Sequence, residues 1–138
     1  MAEVYVFDTK LESHVDRPVT RRLALSSDLT LIDLHRLIQE AFEWDDDHLY
    51  SFWLDGTFWG ADESEYTVPF ELEERGARNA GVELGRLGLR TGQRIAYVFD
   101  FGDEWRVSVK LRETRERGET GILERKGDAP PQYPDYDE

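Results

Sequence analysis

The run Arg94-Ile95-Ala96-Tyr97-Val98-Phe99-Asp100-Phe101-Gly102-Asp103-Glu104-Trp105-Arg106-Val107-Ser108-Val109 constrains this chain more than any other segment. Two β-rich stretches flank a short acidic turn that contains a glycine. Strand side chains alternate between faces, so Trp105, Val107, Val109 and Leu111 share one face while Arg106, Ser108, Lys110 and Arg112 share the other. That pattern predicts an antiparallel hairpin in a sheet with one packed face and one wet face. It also sets carboxylates at the hairpin tip. It names no reaction.

The rest of the chain supplies partners for that hairpin. Residues 4–7 are apolar on both faces and β-rich, which predicts a well-covered strand. Residues 19–25 predict a second strand, with Val19, Leu23 and Leu25 on the same face as Arg21. A helix is expected over about residues 30–43. Thr30 and Asp33 have the spacing of a capping box, Leu29 and Leu34 that of a hydrophobic staple, and Leu31, Leu34, Ile38, Ala41 and Phe42 form one apolar stripe. Strand character returns over residues 49–54. Asp55-Gly56 is a preferred hairpin turn, with Thr57-Phe58-Trp59 as the expected return strand. Residues 61–83 look like a long acidic loop, with one short helix expected after Pro69. Residues 113–120 are charged and loop-like, and Ile122-Leu123 suggests a last short strand. The fold class expected is α+β: a mainly antiparallel, twisted sheet, one principal helix on it, and a short helix or turn within residues 61–90. One domain over residues 1–126 and a Pro-rich acidic tail over 127–138 complete the layout. Tyr133 and Tyr136 are the groups through which the tail would pack back.

At 138 residues with 39% hydrophobic and 12% aromatic content, the chain can bury a core, so general disorder is excluded. No run approaches the ~18 apolar residues of a membrane span. The absence of cysteine removes disulfides, thiolate metal sites and cysteine nucleophiles. With no visible signal peptide, a cytoplasmic protein is the simplest reading. The net charge of -13, from 30 acidic and 17 basic residues, opposes binding to a phosphate backbone, although a local basic patch near Arg17, Arg21 and Arg22 is conceivable.

Three blocks together resemble the plasmid pRiA4b ORF-3-like protein family. The first is Thr30-Leu31-Ile32-Asp33-Leu34-His35, running on to Ala41-Phe42-Glu43-Trp44 and Asp46-Asp47-His48-Leu49-Tyr50-Ser51-Phe52. The second is Tyr97-Val98-Phe99-Asp100-Phe101-Gly102-Asp103-Glu104-Trp105, and the third Gly127-Asp128-Ala129-Pro130-Pro131-Gln132-Tyr133. In order and spacing they cover nearly the whole chain. Many members carry Trp-Arg-Arg where this chain has Thr20-Arg21-Arg22, and a histidine where it has Val107. The resemblance implies a compact α+β domain and brings no agreed biochemical activity.

Two clusters are candidates for function. In the hairpin, Asp100, Asp103 and Glu104 offer oxygen ligands for a hard cation, but fall short of a full ligand set. The structural alternative has Asp100 accepting backbone hydrogen bonds, Gly102 supplying a positive φ, and Asp103 pairing with Arg22 or Arg94. In the second cluster, His35 and His48 lie on either side of Asp45-Asp46-Asp47. Imidazoles and carboxylates suit a divalent metal, with His35, His48, Asp47 and Asp103 as candidate ligands. His14 has no partner in sequence.

No kinase, hydrolase-elbow or phosphate-loop motif accompanies Asp100-Phe101-Gly102. No resident cofactor is expected, a divalent metal being the one such group these residues suit. Trp44 and Trp105 join His35, His48, Asp100 and Asp103 as candidate binding residues, because tryptophan dominates protein hot spots. The leading expectation is a non-catalytic domain acting through a protein partner, with no membrane and an unspecified oligomeric state. A metal-dependent hydrolase on His35, His48, Asp100 and Asp103 is the first alternative, and a nucleic-acid-associated protein the second.

Overall fold

In a computed structural model, residues 2–68 and 77–133 are described. The described chain builds one sheet from β1 (Val4–Leu11), β2 (Thr20–Ser26), β3 (Tyr50–Trp53), β4 (Glu65–Thr67), β5 (Arg78–Asn79), β6 (Arg94–Phe99), β7 (Trp105–Arg115) and β8 (Gly121–Lys126), crossed by one helix, α1 (Leu31–Ala41). The spatial order is β5-β4-β3-β6-β7-β1-β2-β8. Neighbours are antiparallel except β4 and β5, which run parallel. The fold is therefore α+β with a mainly antiparallel sheet and one principal helix. Among the described residues, no helix is long and apolar enough to cross a membrane.

Helix α1 forms where its caps and apolar stripe coincide. The Thr30 hydroxyl accepts from Asp33 N–H, and the Asp33 carboxylate accepts from Thr30 N–H, so two otherwise orphaned donors are satisfied reciprocally. Leu31, Leu34, Ile38 and Ala41 are fully buried, and the inner face of the sheet meets them with Phe7, Leu23, Leu25, Phe52, Tyr97, Val107 and Val109. At the other end, Arg21 turns inward from β2. Its Nε donates to Ala41 O at 2.8 Å, and Nη1 reaches the carbonyls of Thr20, Lys126 and Gly127. A cation at the helix C-terminus meets the negative end of the macrodipole, so Arg21 ties β2, β8 and α1 together. It sits 5.3 Å from the Phe42 ring centroid. The arginines expected to share a basic patch are thus separated, Arg21 facing inward and Arg22 outward.

Several local expectations need correction. Thr57-Phe58-Trp59 is not a return strand. The Asp55 carboxylate accepts from the N–H groups of Thr57 and Ala61, which winds residues 55–61 into a wider loop, and β3 pairs instead with β4. β1 extends to Leu11 and β8 to Lys126, while β7 continues to Arg115 into the expected loop. The helix expected after Pro69 lies outside the described residues. Elsewhere between residues 61 and 90 there are 3-10 turns at Asp62–Ser64 and Leu84–Arg86.

Candidate functional site

His35 projects from the middle of α1 toward the sheet and is 2% exposed. Its ring stacks on Tyr50 of β3, with centroids 3.5 Å apart and planes 10° apart. Nε2 lies 2.8 Å from Asp46 Oδ1, and Nδ1 lies 2.7 Å from Tyr97 Oη on β6. Gln39, one helical turn beyond His35, donates from Nε2 to the same Tyr97 oxygen at 2.9 Å. One assignment of protons satisfies the chain: Gln39 donates to Tyr97, Tyr97 to His35 Nδ1, and His35 Nε2–H to Asp46. That arrangement requires a neutral imidazole. Burial pushes the His35 pKa down to about 4, outweighing the opposing pull of Asp46. Burial likewise holds the Tyr97 phenol well above its ordinary value, so it stays a donor. Gln39 Oε1 is a buried acceptor without a partner.

His48 belongs to a second, exposed cluster. Its Nε2 lies 2.7 Å from Tyr133 Oη, 3.4 Å from Asp100 Oδ2 and 3.6 Å from Asp47 Oδ1. Tyr133 donates to Asp47 Oδ2 at 2.8 Å, so its oxygen accepts from His48. That bond raises the Tyr133 pKa to about 12 and, with His48 nearby, lowers that of Asp47. Gln132 completes the joint. Its amide accepts from Asp45 N–H and donates to Asp45 O and Asp47 Oδ1. Pro130-Pro131 precedes this pair, and proline restricts the approach of the chain to it.

Between the two clusters lies a cavity of about 600 Å³. Ile32, Leu49, Tyr50 and Val68 give it apolar surface, while His35, Arg36, Asp46, Asp47 and His48 give it polar surface. Both histidines singled out in the sequence therefore line one cavity, with Asp46 and Asp47. The four candidate metal ligands do not assemble into one centre, because His35 has both nitrogens engaged inside the fold. Among the described residues, no group of three or more His, Cys, Asp or Glu side chains is arranged to hold a metal ion.

The hairpin residues have structural partners. Asp100 Oδ1 accepts from Gly102 N–H at 3.2 Å and Asp103 N–H at 3.3 Å. The positive φ values belong to Asp100 (60°) and Glu104 (52°), not to Gly102. Aspartate tolerates that region because its short carboxylate bonds locally. Asp103 makes no ion pair with Arg22 or Arg94. Arg22 is engaged by Asp8 and Glu124, and Asp103 offers its carbonyl to His14 Nε2 at 2.8 Å. Trp44 and Trp105 are 6% and 2% exposed and face each other across 5.2 Å, which makes them core rather than surface anchors.

Tyr97, Gln39, Gln132, Tyr133 and the inward Arg21 are the polar groups of this region to which sequence reading assigned no site role. The placing of Arg21 on an apolar face signals one of them, and the expected packing of the tail through Tyr133 signals another.

The plasmid pRiA4b ORF-3-like protein model matches residues 3–133. The chain belongs to that family. Relatives of the pRiA4b ORF-3-like chain include the uncharacterized protein y4hQ of Sinorhizobium fredii, 29% identical over 123 residues. The match takes in 86% of this chain and 60% of y4hQ, so the chain spans less than two thirds of that relative's length. The crystal structure of MM3350, a protein of unknown function from Methanosarcina mazei Go1, superposes with a TM-score of 0.79 at 23% identity, covering 96% of this chain and 74% of that one. That likeness establishes the fold. The three family-like blocks meet at one corner: His35, Asp46, Asp47 and His48 from the first, Tyr97 and Asp100 from the second, Gln132 and Tyr133 from the third.

Proposed function

We propose that this pRiA4b ORF-3-like domain is a non-catalytic binding module, and that the cavity beside α1 receives a cationic side chain from a protein partner. The observation carrying this reading is that His35, the buried imidazole of the cavity, has both nitrogens engaged within the fold. A general base needs a free lone pair within reach of substrate. The neutral His35 has donated its one N–H to Asp46 and filled its lone pair with Tyr97. What remains toward solvent is recognition surface. The apolar side chains suit the stem of an arginine or lysine, and Asp46 and Asp47 suit its charge. The net charge of -13 steers such a partner toward the domain.

A library of short basic peptides, read by fluorescence polarisation at moderate salt, tests the proposal. Binding is expected from peptides with an arginine or lysine beside an apolar residue, and Ile32→Lys, which sets a cation over the apolar surface, should weaken it. If no peptide binds more tightly than about 1 mM, or if Ile32→Lys leaves the binders untouched, the cavity is not the docking site.

A further inference from the structure

The face of the sheet away from α1 carries a second concavity, of about 290 Å³, across β6, β7, β1, β2 and β8. Strand register resolves it into two cross-strand rows. One runs Arg94–Lys110–Asp8–Arg22–Glu124. Its acids are already engaged: Asp8 by Arg22 at 2.9 Å and Arg112 at 3.1 Å, Glu124 by Arg22 at 3.3 Å and Lys126 at 3.4 Å. The other row runs Ser108–Lys10–Thr20–Lys126 and contains hydroxyls and ammonium groups without a carboxylate.

Three features single this patch out. The chain has three lysines, Lys10, Lys110 and Lys126, and all of them stand here. Arg94 faces Lys110 directly across the β6–β7 register, and like charges in that relation destabilise a sheet. Lys10, Lys110 and Arg94 are exposed and make no ion pair among the described residues. In a chain of net charge -13, an uncompensated cluster of cations is a local inversion of the field.

We infer that this patch binds a compact polyanion bearing two or more phosphate groups. Lysine is a point charge suited to phosphate oxygens, and the Ser108 and Thr20 hydroxyls add donors between the ammonium groups. Compactness follows from the dimensions and the surroundings. The net charge of -13 opposes a long phosphate backbone along this domain, whereas a small polyphosphate spans only the patch. The inference is independent of the cavity beside α1, which lies on the opposite face.

Calorimetric titration with inorganic tripolyphosphate at about 100 mM salt tests it. Saturable one-to-one binding is expected, weaker for orthophosphate. Lys10→Gln and Lys110→Gln, both at exposed positions, should each weaken it about tenfold, while Arg117→Gln, an equal charge change elsewhere, leaves it intact. The inference is overturned by the absence of saturable tripolyphosphate binding, or by equal loss in Arg117→Gln. Tighter binding of a single-stranded oligonucleotide at the same salt also overturns it, since the occupant is then an extended chain.

Discussion

The two faces of the sheet treat their polar groups in opposite ways. On the α1 side, Gln39, Tyr97, His35 and Asp46 form an unbroken chain of hydrogen bonds, and the Arg21 guanidinium is surrounded by carbonyls. On the far side, Lys10, Lys110 and Arg94 stand in solvent with no carboxylate partner among the described residues. Burial explains the difference. A polar group removed from water loses several kcal/mol of solvation unless it finds a partner, so the inner face pairs most of its buried polar atoms, Gln39 Oε1 and the Trp44 and Trp105 indole nitrogens excepted. Exposed cations face no such penalty and can remain available to a ligand. The buried Gln39–Tyr97–His35 chain and Arg21 therefore act through stability, and the unpaired Lys10, Lys110 and Arg94 through binding.

The sharpest way to break this comparison is acidification. His35 has its folded-state pKa depressed to about 4, below the ordinary 6.5, so the unfolded chain takes up this proton first as pH falls. The stability it contributes is whole above about pH 6.5 and drains away toward pH 4, by up to about 3 kcal/mol. Urea melts across that window should show the loss, and His35→Gln should flatten it. Next in size, Tyr97→Phe removes the hydroxyl that joins Gln39 to His35 and leaves two buried groups unpaired, at a cost of about 2 kcal/mol in the same melts. Thr30→Ala opens the capping box and should cost about 1 kcal/mol. At the small end, Lys110→Gln on the outer face should change stability by less than about 0.5 kcal/mol. A larger loss there would mean that the outer cations are structural, and the contrast between the faces would fail.

Much of the frame is legible in the sequence, because its signals are local. The Thr30–Asp33 box, the Leu31–Phe42 stripe and the alternation through Trp105–Arg112 each lie within a dozen residues. What escaped reading depends on distant pairings. His35 meets Tyr97 across 62 residues and His48 meets Tyr133 across 85, and no periodicity reports such contacts. The Asp55-Gly56 turn was recognisable, yet the return strand was misplaced because the Asp55 carboxylate captures Ala61 N–H and widens the loop. The basic rows were hidden for a related reason. Alternation put Lys110 on a wet face, but only the sheet order β7-β1-β2-β8 brings Lys10 and Lys126 beside it.

The central claim is that His35 is a locked, neutral member of the inner network rather than a reactive base or a metal ligand. Imidazole nitrogen NMR across a pH titration tests it most directly. The account predicts the Nε2–H tautomer, unprotonated until the pH approaches about 4 and unmoved by added zinc. Titration near 6.5, or a zinc-induced shift of either His35 nitrogen, would contradict it.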